Sequence, residues 1–300
     1  MRTKVIVTGG AGFIGSHLAN TLAGTGYDVH VVDSLVSGKR ERLLKNIRLH
    51  TIDVRDVAAC ADIFSKADTV FHLAALPRVQ YSIENPLETN DVNIGGTVSM
   101  LAAATRAGVR RVVYSASSSA YGEQETLPLH EEMSVRPKSP YGVQKHVGEL
   151  YCKAYSEIHG LETVSLRYFN VYGPGFDPEG EYALVIGKFL KQRMEGKPMT
   201  ITGDGEQTRD FTHVRDVVRA NILAMESRAV GTGEVLNIGA GNEVSINRIA
   251  ELIGGEITHI APRIEPRRTR ADNTRARELL GWGPTVSLEE GIAELNQEFN

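Results

Sequence analysis

The chain has 300 residues, 33 Lys plus Arg against 37 Asp plus Glu for a net charge of −4, and 41% hydrophobic residues. That hydrophobic share supports a packed core and excludes a disordered chain, while the slightly acidic balance disfavours a protein that lives on nucleic acid by counterion release. Two distant cysteines, Cys60 and Cys152, exclude a disulfide scaffold or a zinc ribbon, so reduced thiols, no metal centre and a cytoplasmic enzyme are expected. Thr3–Thr8 (TKVIVT) predicts a short buried strand, followed by a glycine cluster and a helical pattern over Phe13–Ala23. Val29–Val32, Thr69–Leu73 and Arg111–Ser115 are further apolar runs, with helical periodicity over Val57–Lys66 and Asn93–Ala107 between them. A long helix is predicted over Pro140–Ile158 and a strand over Glu162–Arg167.

Alternating helices and nearly continuous apolar strands predict an α/β fold, a doubly wound parallel (Rossmann) sheet over residues 1–170. Beyond Asn170, Gly173-Pro174-Gly175 and Asp177-Pro178-Glu179-Gly180 interrupt regular structure. Helices are predicted at Tyr182–Glu195, Val214–Glu226, Ser245–Ile253 and Thr274–Leu280, with short strands near Met199–Thr202 and Val235–Ile238. Residues 171–300 therefore read as a smaller α/β substrate domain, with parts such as 214–226 packing back on the sheet. No apolar run approaches the ~18 residues of a membrane span.

Gly10-x-Gly12-x-x-Gly15 follows the first strand and opens the first helix, with Gly9 just before it. Glycines there allow a tight turn, close approach of backbone to a pyrophosphate and close helix–sheet packing, and the helix start offers free N–H groups. Asp33 ends the second strand, where a carboxylate can accept hydrogen bonds from adenosine ribose hydroxyls and would repel an added phosphate, favouring NAD over NADP. Asp53-Val54, after the third strand, is placed to meet the adenine, and Asp53 reads equally as the N-cap of the following helix, roles that can coexist. His72-x-Ala74-Ala75 brings small residues to the carboxyl edge of the sheet, and His72 reads as a packed, hydrogen-bonded histidine.

Tyr141 and Lys145 lie four apart at the start of a helix, with Ser139 as the expected N-cap and Pro140 at the first helical position. That spacing puts both side chains on one face. A neighbouring ammonium favours the phenolate, so the pair can remove a hydroxyl proton while hydride leaves the same carbon. Ser117, on the loop after the fifth strand, can hydrogen-bond the same oxygen.

Taken in order, VTGGAGFIGSHL (Val7–Leu18), HLAA (His72–Ala75), YSASSSAYG (Tyr114–Gly122), SPYGVQK (Ser139–Lys145), LRYFNVYGP (Leu166–Pro174), TRDFTHV (Thr208–Val214) and LLGW (Leu279–Trp282) resemble the extended short-chain dehydrogenase/reductases. Within them the chain is similar to the nucleotide-sugar 4-epimerases, such as those of UDP-glucose and UDP-N-acetylglucosamine. The resemblance implies tightly bound NAD, a UDP-sugar substrate, a homodimer, and Ser117, Tyr141 and Lys145 as the catalytic trio. It extends the cofactor site over Gly9, Gly12, Phe13, Ile14 and Gly15, then Asp33, Ser34 and Gly38, then Asp53 and Val54. Leu73, Ala74 and Ala75 follow, together with Asn93 (supporting the tyrosine), Ser115, Tyr141, Lys145 and Tyr168. Ser117, Ser118, Ser119, Tyr141, Asn170, Arg209, Arg263 and Thr269 are implied for the substrate, with Arg268 as a rival to Arg263 for the diphosphate.

Departures within the family narrow the expectation. Dehydratases follow the catalytic hydroxyl residue with an Asp–Glu pair, where this chain has Ser118 and Ser119, and uronate decarboxylases usually carry a Glu in place of Ser119. Uronate epimerases often place an Arg after the YGP motif, where this chain has Asp177. Oxidation and re-reduction of a neutral hexose at C4 is what remains, with other NAD-dependent nucleotide-sugar enzymes as the alternative. Thr269, small where glucose-restricted epimerases have Tyr, suggests that N-acetylated sugars are also accepted, unless a neighbour fills the space.

Overall fold

The computed structural model describes residues 2–175, 185–262 and 267–299. Its strands are β1 (Lys4–Thr8), β2 (Asp28–Val32), β3 (Arg48–His50), β4 (Thr69–His72), β5 (Arg111–Ser117), β6 (Glu162–Tyr168), β7 (Val171–Tyr172), β8 (Met199–Thr202), β9 (Thr208–Arg209), β10 (Thr212–His213), β11 (Thr232–Ile238), β12 (Val244–Ser245) and β13 (Ile257–Ile260). The helices are α1 (Phe13–Gly24), α2 (Val57–Phe64), α3 (Val79–Glu84), α4 (Pro86–Asn90), α5 (Gly96–Ala107), α6 (Pro140–His159), α7 (Val185–Met194), α8 (Val214–Glu226), α9 (Ile246–Ile253), α10 (Thr274–Leu280) and α11 (Leu288–Glu298). A π-helical turn, Asp91–Gly95, joins α4 to α5. Helix α11 lies outside the elements predicted above, although Ser287 and Glu290 form a full capping box at its start.

Seven parallel strands form the central sheet in the order β11-β6-β5-β4-β1-β2-β3. The expected Rossmann arrangement is therefore present, with its order reversing between β1 and β4. Strand alternation assigns the core to two faces. Val5 and Val7 of β1 point into one cluster with Val29, Val31, Phe71 and Val113, while Ile6 points into the other with Val70, Val112 and Tyr114. Helices α1, α8 and α10 cover the first face, and α2, α5 and α6 the second. Each fully buried Val, Leu, Ile or Phe contributes roughly 1.5–3 kcal/mol of transfer free energy, which explains the near-continuous apolar strands.

Chain beyond residue 170 contributes to both halves of the molecule. β11 pairs with β6 to complete the sheet, and Val217, Ala220 and Ala224 of α8 pack into the first cluster. Trp282 is fully buried there, its indole N–H donating to the Asp216 carbonyl at 2.9 Å. A separate cluster, including Ile186, Phe189, Met199, Ile201, Ile249 and Leu295, forms the smaller C-terminal core. Ligands of such sheets bind outside the carboxyl ends of the strands, where the order reverses.

Candidate active site

At the point where the order reverses, a cleft of about 1050 Å³ opens along the carboxyl edge of the sheet. Its first wall is the turn between β1 and α1. Gly9 sits in the left-handed region at φ +69°, and a Cβ on it would stand 2.6 Å from the Ala74 nitrogen. A Cβ on Gly15 would lie 2.2 Å from the Gly9 carbonyl oxygen. Only bare backbone fits, and Gly12, Phe13, Ile14 and Gly15 at the start of α1 line the cleft, where no side chain caps the helix. Asp33 closes this end. Its Oδ2 accepts from Ala11 N at 2.9 Å and its Oδ1 from Leu35 N at 2.8 Å, tying the strand tip to the glycine turn. Ser34, Val54, Leu73, Ala74 and Ala75 also line the cleft. Gly38 does not, but it packs against Asp33, whose Oδ1 would be 2.7 Å from an added Cβ. A glycine cradle, a helix start and an acidic strand end fit a dinucleotide.

Of the two roles expected of Asp53 the structure excludes the cap, and it also keeps Asn93 out of the cleft wall. The cap of α2 is Asp56, which accepts from Ala59 N at 3.0 Å. Asp53 instead faces the cleft and accepts from the Arg55 backbone N–H and guanidinium, bonds that hold its carboxyl below the usual range. Arg55, not singled out by sequence, lines the cleft and also pairs with Asp91. Asn93 does not line the cleft. Its Oδ1 accepts from Leu76 N at 2.7 Å while its Nδ2 donates to Leu76 O at 3.1 Å and to Gln144 Oε1 at 2.8 Å. It thus pins the loop after β4 to the first turns of α6. His72 bridges Thr8 and Thr97 through its two ring nitrogens, and burial pulls its pKa down to about 3, so it is a neutral packing residue.

The chemical centre lies where β5 meets α6. Ser139 caps α6 by accepting from Gly142 N at 3.2 Å, with Pro140 at the first helical position. A Cβ on Gly148 would be 2.2 Å from the Tyr114 hydroxyl oxygen, so α6 rests directly on β5. Lys145 is thereby carried into the interior, where its Nζ donates to the Ser115 carbonyl at 2.7 Å. Burial pulls its pKa down to about 8. Its Nζ stands 6.0 Å from the Tyr141 ring centroid and 5.1 Å from that of Tyr114. The Tyr141 backbone N–H is held by Ser82 Oγ at 3.1 Å. Tyr141, Lys145, Ser115, Ser117, Ser118 and Ser119 all line the same cleft. Gln144, donating to Thr89 Oγ1 at 3.0 Å, is a support that sequence reasoning missed, although it lies inside the SPYGVQK motif.

Tyr168 lines the cleft beside Ser117, its register partner across β5 and β6, and Asn170, Arg209 and Thr269 line it as well. Tyr168 Oη is held by Asn221 Nδ2 at 2.8 Å. Asn170, with φ +30°, donates through Nδ2 to the Asp210 carbonyl at 2.8 Å. The Asp210 carboxylate, not singled out by sequence, accepts from the N–H groups of Ala240, Gly241 and Ala271, each at 2.9 Å. Burial nonetheless pushes its pKa up to about 6. It ties the loop after β11 to the segment carrying Thr269, whose N–H donates to Thr208 O at 3.2 Å. Arg268 grips Glu243 through two hydrogen bonds of 2.7 and 2.8 Å and does not line the cleft. Arg263 and Asp177 lie outside the described residues.

Residues 5–239 match the NAD dependent epimerase/dehydratase family. A putative UDP-glucose 4-epimerase of Methanocaldococcus jannaschii is 39% identical over 297 residues, covering 96% of this chain and 95% of that one. A UDP-N-acetyl-alpha-D-glucosaminuronate decarboxylase of Bacillus cytotoxicus is 34% identical, covering 100% and 98%. Among solved structures, the UDP-glucose 4-epimerase of Thermotoga maritima with UDP-glucose superposes with a TM-score of 0.94 at 40% identity, covering 99% of this chain and 98% of that one. Glycine cradle, acidic strand end and matched length agree: the chain belongs to the NAD dependent epimerase/dehydratase family, as an NAD-dependent enzyme of the extended short-chain dehydrogenase/reductase type.

Proposed function

We propose that the protein interconverts the C4 epimers of a UDP-hexose, UDP-glucose and UDP-galactose first, through a transient 4-keto sugar. The observation that supports this reading is that Ser117, Tyr141 and Lys145 line one cleft together with Asn170, Arg209 and Thr269. Gly9, Gly12, Gly15 and Asp33 would hold NAD. When bound, NAD supplies a reversible hydride acceptor at the sugar carbon. Tyr141 takes the proton from the substrate hydroxyl and later returns it, while the Lys145 ammonium favours the phenolate form. Ser117 donates to the same oxygen, and Asn170 and Arg209 hold the nucleotide so that the sugar alone turns between the two half-reactions. Arg263 is proposed for the diphosphate, since Arg268 is committed to Glu243. A neutral hexose is favoured because the second residue after Ser117 is a hydroxyl, Ser119, rather than a carboxylate.

The test is to mix purified protein with UDP-glucose and no added NAD. UDP-galactose forms with no net rise at 340 nm if the reading is right, and a stoichiometric NADH signal refutes it. Thr269 lines the cleft with a small side chain, so UDP-N-acetylglucosamine is also taken as substrate. Thr269→Tyr then loses the N-acetylated sugar selectively, and a variant equally active on both sugars rejects that assignment. Val143, Leu150 and Tyr151 of α6 form an exposed apolar stripe, which supports a homodimer with paired α6 helices. Light scattering that gives a monomer at assay concentration removes this proposal. Both cysteines are free and buried, in keeping with a reducing cytoplasm.

A further inference from the structure

Ser117 is the hydroxyl expected to touch the reacting oxygen, and its hydrogen-bonding capacity can be counted. A serine hydroxyl has one proton to donate and two lone pairs that accept. Two hydrogen-bond partners reach it from within its own loop. The Ser119 backbone N–H donates to Ser117 Oγ at 3.2 Å, and the Ser119 hydroxyl oxygen lies 2.7 Å from the same atom, within hydrogen-bond distance. The single 3-10 turn after β5, Ser118–Ala120, folds Ser119 back over Ser117 and makes this double contact possible. With Ser119 as the donor across the hydroxyl contact, what remains to Ser117 is its proton, and the cleft that Ser117 lines is also lined by Tyr141.

We infer that Ser119 is a positioning residue: it fills the acceptor capacity of Ser117, fixing Ser117 as a permanent donor and leaving Tyr141 as the one acceptor of the substrate proton. The inference rests on the reading above, in which the C4 oxygen lies between Ser117 and Tyr141. In the alcohol, that oxygen takes the Ser117 proton on a lone pair and gives its own to the Tyr141 oxygen. In the ketone, it keeps the Ser117 hydrogen bond and gains a second from the newly protonated Tyr141. The proton then returns to the same oxygen on the opposite epimer, so no proton passes through Ser117 or Ser119. The Ser117 dipole need not reorient between the half-reactions, which is the condition for preorganised stabilisation of developing charge. Without the Ser119 hydroxyl, an open lone pair on Ser117 competes with Tyr141 for the substrate proton.

Ser119→Thr and Ser119→Val are nearly isosteric and differ in the hydroxyl, so packing effects are matched between them. The Val variant is expected to show a kcat about tenfold below that of the Thr variant, the scale of one neutral hydrogen bond. KM and the calorimetric affinity for UDP-glucose should agree within about threefold, because the hydroxyl acts on Ser117 and not on binding. In a Ser117→Ala background the Thr and Val variants should turn over equally. Equal kcat with Ser117 intact overturns the inference, and so does a gap that persists when Ser117 is Ala, since Ser119 would then act on the substrate itself. A neutron structure of the deuterated wild-type protein reads the Ser117 deuteron directly. Pointing into the cleft, it supports the assignment whatever sugar the protein takes, and pointing at Ser119 Oγ it overturns it. Failure of the functional reading shows separately, as a wild-type protein that converts no UDP-hexose.

Discussion

Replacing Lys145 by Met removes the charge that faces Tyr141 while keeping an unbranched side chain of similar length. With the ammonium 6.0 Å from the Tyr141 ring centroid, its attraction for a phenolate at an effective dielectric of ~20 is about 2.8 kcal/mol. Losing that support corresponds to roughly a hundredfold drop in kcat at neutral pH. Folding should not suffer. Burial lowers the lysine pKa from 10.5 to about 8, so the buried ammonium weakens the fold at every pH below 8. That penalty, roughly 3 kcal/mol, fades as pH rises from 8 to 10.5, because over this window the unfolded chain is the more protonated. Its removal in the Met variant offsets the lost hydrogen bond to the Ser115 carbonyl. The assay is the rate of UDP-hexose interconversion from pH 6 to 9.5, with thermal melts of both proteins. The variant is expected to melt within about 3 °C of wild type, to be about a hundredfold slower at pH 7, and to recover as hydroxide rises. A Met variant retaining more than a tenth of wild-type kcat at pH 7, or showing no recovery, refutes the electrostatic account.

Gly15→Ala places a methyl group 2.2 Å from the Gly9 carbonyl, so the turn must open; NAD released on denaturing the purified protein should fall at least ~tenfold per mole, and unchanged NAD content would contradict the cradle. Glu149→Gln breaks the buried pair in which Arg167 donates to both carboxylate oxygens at 2.8 and 2.7 Å. The cost is about 3 kcal/mol, a fall in Tm of about 6 °C, seen by calorimetry; a shift under 1 °C would mean that the pair does not stabilise the fold. Burial pushes the Glu149 carboxyl up, but hydrogen bonds from Arg167 and His146 outweigh it and leave its pKa below 4.5. Its support is therefore complete above pH 4.5 and disappears as pH falls through the lowered folded value. Wild type should accordingly lose Tm more steeply than the Gln variant below pH 4.5.

What could be read from sequence was chemistry enforced by local spacing. Gly9 and Gly15 must be glycine because a methyl group on either would strike backbone, and Tyr141 and Lys145 share a face because they are one helical turn apart. Contacts between distant segments were not legible. Nothing in the sequence marks Asn93 as the clasp between Leu76 and Gln144, or Asp210 as an anchor for three backbone N–H groups on two distant segments. Asp53 and Asp56 compete for the same cap in sequence, and only the backbone path shows that the second takes it. Strand β11 is half exposed at its start, so its pattern does not announce that it completes a buried parallel sheet. α11 lies outside the sequence reading although both its capping box and its apolar period, Leu288, Ile292, Leu295 and Phe299, are local.

The late arrival of β11 bears on how the polypeptide is made. Until residue 238 has left the ribosome, β6 is an open edge whose backbone groups await a partner, and until residue 226 has emerged Val164 and Leu166 lack the cover of α8. A nascent chain stalled near residue 170 would therefore display an adhesive strand instead of a finished nucleotide-binding half. Cleaving the gene there should produce two insoluble fragments, each regaining solubility when co-expressed with the other.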